Sequence, residues 1–223
     1  MSIKKELIKK VIFDIDDTLI DWKDEYWNSL NRTFEELNLE YSEKDIEKVK
    51  KAIDIYEDGR NETYNKEKMQ KTIEDELKYK LPEEFMDVWM NYLGKCIPEK
   101  IDENIFKTLE YLQEKYELVI LSNWLEKSQM LRLKNAKLDK YFKEFYITEG
   151  IKMKPSKESF NIARGKNKEI ECVMIGDNFK TDIKGAINAG MQAIYLNKKN
   201  NINEIENKNV TEILKISDLI EIL

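Results

Sequence analysis

Four short runs of apolar residues, uninterrupted by polar ones, constrain the fold of this 223-residue chain more than any other feature. Strands with one face in water alternate apolar and polar residues, whereas uniformly apolar runs are typical of parallel strands covered on both faces. Helical patterns separate the last three runs, so the sequence predicts an α/β fold with a doubly wound, Rossmann-like parallel sheet. The runs are residues 11–13, 118–121, 172–175 and 193–196.

The long interval between the first two runs predicts a second structural unit. From residue 21 to residue 98 the apolar residues recur at helical spacing, and Ser42 with Asp45 forms a capping-box pattern at the start of one helix. Four helices are predicted there, too many for a single crossover. We therefore expect a helical cap domain, residues 21–98, inserted into an α/β domain formed by residues 1–20 and 99–223.

The composition excludes several classes of function. The chain contains no histidine, so proton transfer must fall to carboxylates, lysine, tyrosine or water. It has 38 basic and 44 acidic side chains, and the net charge of −6 argues against nucleic acid and anionic membranes as partners. No apolar run approaches the ~20 residues of a membrane span, and two cysteines are too few for a disulfide framework. These features favour a cytoplasmic protein.

Polar residues follow three of the apolar runs directly. Asp14 and Asp16 follow the first run, Ser122 and Asn123 the second, and Asp177 the third. Ligands of open parallel sheets bind outside the carboxyl ends of the strands, so these side chains are expected to meet at one place. Two carboxylates this close need a cation between them, or one must keep its proton. Each piece by itself is typical of an ordinary acidic loop or turn.

Lys154, before Pro155 and a helix, and Asp182, five residues after Asp177, complete a larger pattern. The order acid–acid, hydroxyl, lysine, acid–acid resembles the haloacid dehalogenase superfamily, a large group of Mg²⁺-dependent phosphohydrolases with helical-cap members. The matching motifs are Asp14-x-Asp16-x-Thr18, Ser122, Lys154 and Gly176-Asp177-x4-Asp182. Asp17, where the family frequently has glycine, is a departure that leaves the reacting groups unchanged.

The resemblance implies a phosphomonoesterase that acts through an aspartyl-phosphate. Asp14 would attack phosphorus, and Asp16, kept protonated by its acidic neighbour, would donate a proton to the leaving oxygen. Asp14, Asp177 and the backbone carbonyl of Asp16 would hold Mg²⁺. The dehalogenases of the superfamily lack an acid at the position of Asp16, since a leaving halide needs no proton. Asp16 therefore favours phosphoryl transfer.

The remaining motif residues have implied roles in binding. Ser122, Lys154 and the backbone amides around Asn123 would hold the transferring oxygens, while Thr18 and Asp182 would support the site. Helical-cap members include phosphoglycolate phosphatases and nucleoside monophosphatases, so a small phosphorylated metabolite is the expected substrate. A sugar-phosphate mutase keeps the same residues and stays open, and a non-catalytic phosphoryl-binding or signalling domain ranks lower. Candidates for contact with the leaving group are Trp22, Arg32, Arg60 and Trp124.

Overall fold

A computed structural model of the chain describes residues 3–21, 25–58, 62–198 and 210–223. Within these ranges six strands form one sheet in the order β3-β2-β1-β4-β5-β6, and every neighbouring pair is parallel. This strand order is that of the Rossmann fold, so the predicted fold class is confirmed. The strands are Lys10–Phe13 (β1), Glu117–Ser122 (β2), Glu144–Ile147 (β3), Cys172–Gly176 (β4), Gln192–Leu196 (β5) and Thr211–Ile213 (β6).

The central strand β1 owes its position to residues that are buried on both faces. Val11 and Phe13 face one apolar cluster, whereas Ile12 faces the other, on the opposite side of the sheet. Phe13 is level with Ile120 of β2 and Ile175 of β4. Strands are added to one side of β1 in the first half of the chain and to the other side in the second half. At such a switch point a crevice forms at the carboxyl ends of the two adjacent strands, here β1 and β4. All four predicted runs lie inside observed strands.

Helices flank the sheet and fill the interval before β2. Those described are Glu25–Glu36 (α1), Glu43–Asp58 (α2), Lys66–Leu77 (α3), Phe85–Leu93 (α4), Glu103–Gln113 (α5), Glu126–Asn135 (α6), Lys157–Arg164 (α7), Lys184–Asn188 (α8) and Leu219–Ile222 (α9). The first four correspond to the four predicted between residues 21 and 98. Among the described residues, no helix combines the length and apolarity that crossing a membrane requires.

Helices α1 to α4 build an apolar core of their own. Phe34, Tyr56, Ile73 and Trp89 belong to it, each almost fully buried. Trp124, which directly follows the β2 tip, joins the same cluster. The four helices are therefore packed together by the apolar stripes seen in the sequence, and they contact the sheet domain close to the ends of its strands.

Three elements differ from the sequence-based expectation. Strand β3 was not predicted, because it is a short edge strand in which Glu144 is exposed and only Ile147 is buried. The helical segment between the last two apolar runs begins as a π-helical turn, Phe179–Ile183, and continues as α8. At the C-terminal end, β6 and a 3₁₀ turn, Ile216–Asp218, lie beyond the four predicted runs.

Candidate active site

Asp14, Lys154 and Asp182 form a buried ion-pair triad beyond the end of β1. The Lys154 Nζ donates to Asp14 Oδ1 at 2.7 Å and to Asp182 Oδ1 at 2.7 Å. The three residues are 7%, 3% and 0% exposed. A β1 extension places Asp14, whose backbone N–H still bonds Ile175 of β4 at 3.0 Å. The structure therefore brings together three of the side chains predicted from the sequence, although 28 to 168 residues separate them along the chain.

Gly176 makes room for Asp182. A Cβ atom at Gly176 would lie 2.2 Å from Asp182 Oδ2, a distance that no side chain could tolerate. Asp182 lies inside the π-helical turn, and its Oδ2 accepts a hydrogen bond from the Asn178 backbone N–H at 3.1 Å. The side chain of Asn178, not that of Asp182, caps the turn, by accepting from the N–H groups of Lys180 and Thr181. Asp182 is thereby released to face Lys154.

Three carboxylates crowd one corner of this site. Asp14, Asp177 and Asp182 each offer an oxygen, and these oxygens lie within 4.8 Å of one another. Burial raises the pKa of Asp14 to about 8, with Asp182 and Asp16 adding to the effect and Lys154 opposing it. Burial and the charge of Asp182 likewise raise the pKa of Asp177 to about 7. One lysine cannot neutralise three acids, so the residues present fit a hard divalent cation with oxygen ligands.

Lys154 stays charged in spite of its burial. Desolvation lowers the pKa of its ammonium, but the charges of Asp14 and Asp182 outweigh this effect and raise the pKa above its usual value. The backbone of Lys154 is clamped by Asn123, whose Oδ1 accepts from the Lys154 N–H at 2.8 Å and whose Nδ2 donates to the Lys154 carbonyl at 3.2 Å. The Asn123 side chain is thus occupied in holding the loop that carries Lys154.

Ser122 ends β2 beneath the same crevice and is 1% exposed. Its Oγ accepts a hydrogen bond from Gln129 Nε2 at 3.1 Å and donates to the Asn123 carbonyl at 3.3 Å. Both Ser122 and Asn123 line the cavity that also contains Asp14, Asp177 and Lys154. The predicted phosphate-binding residues are therefore gathered around one space of about 480 Å³.

Asp16 lies at the same cavity, but its carboxylate is held from the side of α6. Arg132 Nη1 donates to Asp16 Oδ1, and Gln129 Nε2 donates to Oδ2 at 2.6 Å. The Asp16 side chain is 28% exposed, whereas Arg132 is 1% exposed. In this arrangement a cation, Arg132, faces the carboxylate predicted to be kept protonated by acidic neighbours.

Sequence reasoning missed Gln129 and Arg132, although a signal was present. Leu125, Gln129, Arg132 and Ala136 recur at spacings of four, three and four, which places them on one stripe of α6. All four residues are buried. Two polar residues on an otherwise apolar buried stripe, directly after the strand that carries Ser122, indicate a polar partner beneath that strand.

Thr18 lies in the turn that follows Asp16 and is fully buried. Its backbone N–H bonds the Ile15 carbonyl at 3.3 Å, and its hydroxyl has no hydrogen-bond partner among the described residues. Asp17, at φ 52°, turns the chain in the left-handed region, where glycine and aspartate are the residues most easily accommodated. Aspartate can therefore replace the family's frequent glycine without changing the direction of the loop.

The helical segment contributes Glu57 and Tyr64 to the cavity. The Tyr64 hydroxyl donates to Glu57 Oε1 at 2.8 Å, and burial raises the pKa of Glu57. Of the four residues expected to contact a leaving group, Arg32 is exposed on α1, and Trp124 packs against aromatic rings instead of lining the cavity. The other two, Trp22 and Arg60, lie outside the described residues.

Trp124 is held in an uncommon backbone conformation. Its φ is 108°, a region that favours glycine, and its indole is 8% exposed. The ring packs edge-on against Tyr26, Tyr64 and Trp89, at centroid distances of 6.2, 5.5 and 6.4 Å. Aromatic packing from the helical segment thus stabilises the loop that carries Ser122 and Asn123.

Comparison with known proteins assigns the chain to a family. The haloacid dehalogenase-like hydrolase family matches residues 11–196. A glyceraldehyde 3-phosphate phosphatase of Methanothermobacter thermautotrophicus is 32% identical, over 97% of this chain and 100% of its own. YfnB, a HAD-hydrolase of Bacillus subtilis, is 25% identical over 96% of this chain and 95% of its own.

Solved structures agree on the fold. The magnesium-bound structure of YfnB has a TM-score of 0.72 at 23% identity, covering 97% of this chain and 98% of YfnB. A 2-haloacid dehalogenase from Pseudomonas syringae has a TM-score of 0.66 at 23% identity, covering 96% and 97%. Since hydrolases of different chemistry share this fold, the fold by itself does not choose the reaction. The resemblance predicted from the motifs is nevertheless confirmed: the chain belongs to the haloacid dehalogenase-like hydrolases.

Proposed function

We propose that this hydrolase is a Mg²⁺-dependent phosphatase that cleaves a small organic phosphomonoester through an aspartyl-phosphate on Asp14. The observation that carries the proposal is the contact between a buried carboxylate, Asp14, and a buried ammonium, Lys154, at the mouth of a cavity. A nucleophile and a phosphate-binding cation are thus adjacent. The relationship to a glyceraldehyde 3-phosphate phosphatase supports the same reaction class.

Asp14, Asp177 and the backbone carbonyl of Asp16 are the groups that we assign to Mg²⁺. The carboxylate oxygens of Asp14 and Asp177 belong to the crowded acidic cluster, whose raised pKa values a divalent ion would reverse. When bound, the ion neutralises the charges of the acids and of the phosphate. The magnesium reported for the related YfnB structure supports this choice of ion.

Lys154, Ser122 and the Asn123 backbone amide would bind the phosphoryl oxygens. Asn123 and Asp182 fix the lysine at its backbone and at its ammonium respectively, so the charge is oriented before substrate arrives. This preorganisation is the supporting role that we assign to Asp182. Thr18 would support the site differently, by stabilising the turn that carries Asp16.

Hydrolysis of the phosphomonoester would take place in two steps. In the first, Asp14 forms a bond to phosphorus, the bond to the leaving oxygen breaks, and Asp16 gives that oxygen a proton. In the second, Asp16 takes a proton from water, whose oxygen attacks phosphorus and releases inorganic phosphate from Asp14. The presence of an acid at position 16 favours phosphate esters over halides, since a leaving alkoxide requires a proton and a leaving halide does not.

Residues 21–98 would act as a cap domain over the catalytic domain formed by residues 1–20 and 99–223. Glu57 and Tyr64 support this division, because they reach the cavity from the helical segment. A cap excludes bulk water and limits the size of the leaving group. We therefore propose a small phosphorylated metabolite, of phosphoglycolate or nucleotide type, as the substrate.

The experiment that tests the proposal compares Asp14→Asn with the wild-type protein on p-nitrophenyl phosphate and Mg²⁺. Turnover should fall at least ~10³-fold, since the nucleophile is removed while its shape is kept. Asp21→Asn is the matched control, because Asp21 pairs with Lys198 at the surface. Mass spectrometry of acid-quenched protein should find a phosphoryl group on Asp14.

Two results would contradict the proposal or redirect it. Retained turnover in Asp14→Asn would rule out the aspartyl-phosphate. A sugar-phosphate mutase would isomerise hexose phosphates and release little inorganic phosphate, so both products should be measured over a panel of phosphorylated metabolites. Inorganic phosphate as the main product is the expected outcome.

A further inference from the structure

Two buried side chains of α6 hold both oxygens of the Asp16 carboxylate. Arg132 donates to Oδ1 and Gln129 to Oδ2, the latter at 2.6 Å. Gln129 and Arg132 are each 1% exposed. Burying a guanidinium is costly unless it is paired, and the cost is recovered here only by contacts with specific partners. The arrangement therefore has a defined target, which is the carboxyl group of Asp16.

Neither side chain can move independently. The Arg132 Nε donates to the Cys96 carbonyl at 3.1 Å, and its Nη1 also donates to Gln129 Oε1 at 3.1 Å. Gln129 Nε2 additionally contacts Ser122 Oγ at 3.1 Å and the Asn123 carbonyl at 3.2 Å. These contacts fix the donors on three sides. The Asp16 side chain is consequently held by donors that are themselves fixed by other contacts.

The α6 helix is itself docked on the end of α4. Asn135 Nδ2 donates to the Gly94 carbonyl at 2.8 Å, and a Cβ atom at Gly94 would lie 2.5 Å from Leu131. This close approach places the Cys96 carbonyl within reach of Arg132. The network around Asp16 thus extends to the segment by which the chain leaves the helical insertion.

We propose that Gln129 and Arg132 are positioning residues that hold the Asp16 carboxyl beside, and separate from, the nucleophile Asp14; this inference rests on the proposed phosphatase function. Neither Gln129 nor Arg132 is among the described residues that line the cavity, so neither is placed to touch substrate directly.

Donors at the side of Asp16 are needed because Asp14 and Asp16 are close neighbours in the chain. Asp14 and Asp16 lie two residues apart after a strand, so their carboxylates start towards the same side. Lys154, which contacts Asp14, would also attract the Asp16 carboxylate. Without lateral donors, Asp16 would be drawn to the cations that serve Asp14. Arg132 and Gln129 keep its carboxyl at the place from which a leaving oxygen can be reached.

The test uses two esters of similar size whose leaving oxygens differ in basicity. Phenyl phosphate needs a proton on its leaving oxygen more than p-nitrophenyl phosphate does. In Arg132→Met, kcat/KM should fall about tenfold more for phenyl phosphate than for the nitrophenyl ester, since well-placed general acids contribute about 10²–10⁴-fold. Arg132→Lys should restore part of the difference. In an Asp16→Asn background, Arg132→Met should no longer change the ratio.

Arg164→Met is the matched control, because Arg164, the last residue of α7, pairs with Glu169 and not with Asp16. It should leave the ratio of the two kcat/KM values unchanged. Gln129→Leu, which keeps the guanidinium, provides a second variant should Arg132→Met fail to fold, and its ratio should shift in the same direction. Equal losses for both esters in the folded variant would overturn the inference.

A crystal structure of Arg132→Met or Gln129→Leu gives a readout independent of turnover. The Asp16 carboxyl should move away from α6 relative to the wild-type protein. An unmoved carboxyl would overturn the inference even if the enzyme proved to act on another substrate class. Wild-type protein that cleaves neither ester would instead count against the proposed function, and the crystallographic comparison would still decide the positioning role.

Discussion

Replacing Lys154 by methionine removes the one ammonium shared by Asp14 and Asp182. Both carboxylates lie 2.7 Å from the Lys154 Nζ, and the lysine is 3% exposed. Methionine has a similar length and no charge, so the variant tests the charge more than the packing. Two buried acids would then face each other without the cation that separates them.

The loss of stability in Lys154→Met follows from the energy of the buried ion pair between Lys154 and Asp14. Removing one partner of a buried ion pair typically costs about 3–5 kcal/mol, because the remaining charge is left uncompensated. An independent figure is similar: two unit charges at ~4 Å and an effective dielectric of 20 interact by about 4 kcal/mol. Relief from desolvating the ammonium offsets part of this loss. We expect Lys154→Met to lower the free energy of unfolding by about 3–5 kcal/mol, equivalent to roughly 10 °C in Tm.

Urea unfolding of the metal-free protein, followed by circular dichroism, measures this loss. Lys152→Met is the matched control, since Lys152 lies two residues away, is partly exposed, and pairs with Glu62 at the surface. Surface pairs contribute about 0–1 kcal/mol. The difference between Lys154→Met and wild type should widen between about pH 5 and pH 9, because Asp14, with its pKa of about 8, becomes ionised over that range. Equal losses in the two variants would refute the reasoning.

Four further predictions concern the same site. Mg²⁺ should raise Tm more at about pH 9 than at about pH 5, because only ionised Asp14 and Asp177, whose pKa values are raised to about 8 and about 7, bind the ion. Conversely, protein kept in EDTA should lose stability as the pH rises from about 5 to about 9, since raised carboxyl pKa values favour the folded state at low pH. Thermal scans with and without Mg²⁺ at the two pH values check both predictions, and Tm values that do not depend on pH would contradict them. Gly176→Ala should destabilise the protein by about 1–3 kcal/mol and displace Asp182, because the new Cβ would lie 2.2 Å from the Asp182 carboxylate. Urea unfolding measures the loss of stability and a crystal structure the displacement, and an unshifted carboxylate would contradict the steric argument. Asn123→Ala should lower kcat and reduce stability by about 1–3 kcal/mol, less than Lys154→Met, since it removes the side chain that holds the Lys154 backbone. Steady-state kinetics and urea unfolding test this, and an unchanged kcat would argue against the role of Asn123 in holding Lys154.

The central strands were predictable because burial on both faces leaves a simple pattern. β1, β2, β4 and β5 are almost continuous apolar runs, and their tips carry the polar residues that meet in space. Edge strand β3 was not predictable in this way. Only Ile147 of its four residues is buried, and its place in the sheet depends on pairing with β2, such as Ser122 with Ile147, which no local pattern encodes.

The predicted site residues come together largely because each follows a strand or starts a helix. The contact of Lys154 with Asp182 agrees with the supporting role expected of Asp182, and that role stays a proposal. The environment of Asp16 could not be read from its own loop. Its partners, Gln129 and Arg132, lie 113 and 116 residues away on α6. Their contact depends on how α6 packs beneath the β2 tip, which is a tertiary property.

The balance of charge in the cavity determines the order in which ligands can bind. Lys154 faces Asp14 and Asp182, and Arg132 faces Asp16, whereas Asp177 has no ion-pair partner among the described residues. A phosphate dianion approaching these carboxylates is repelled by about 4 kcal/mol for each pair of unit charges at 4 Å and an effective dielectric of 20. Lys154 by itself cannot offset this repulsion, because its ammonium already serves two acids. Under the proposed function, a divalent cation held by the acidic cluster would therefore bind before the phosphate, and the affinity for a phosphate ester should rise with the occupancy of the cation site.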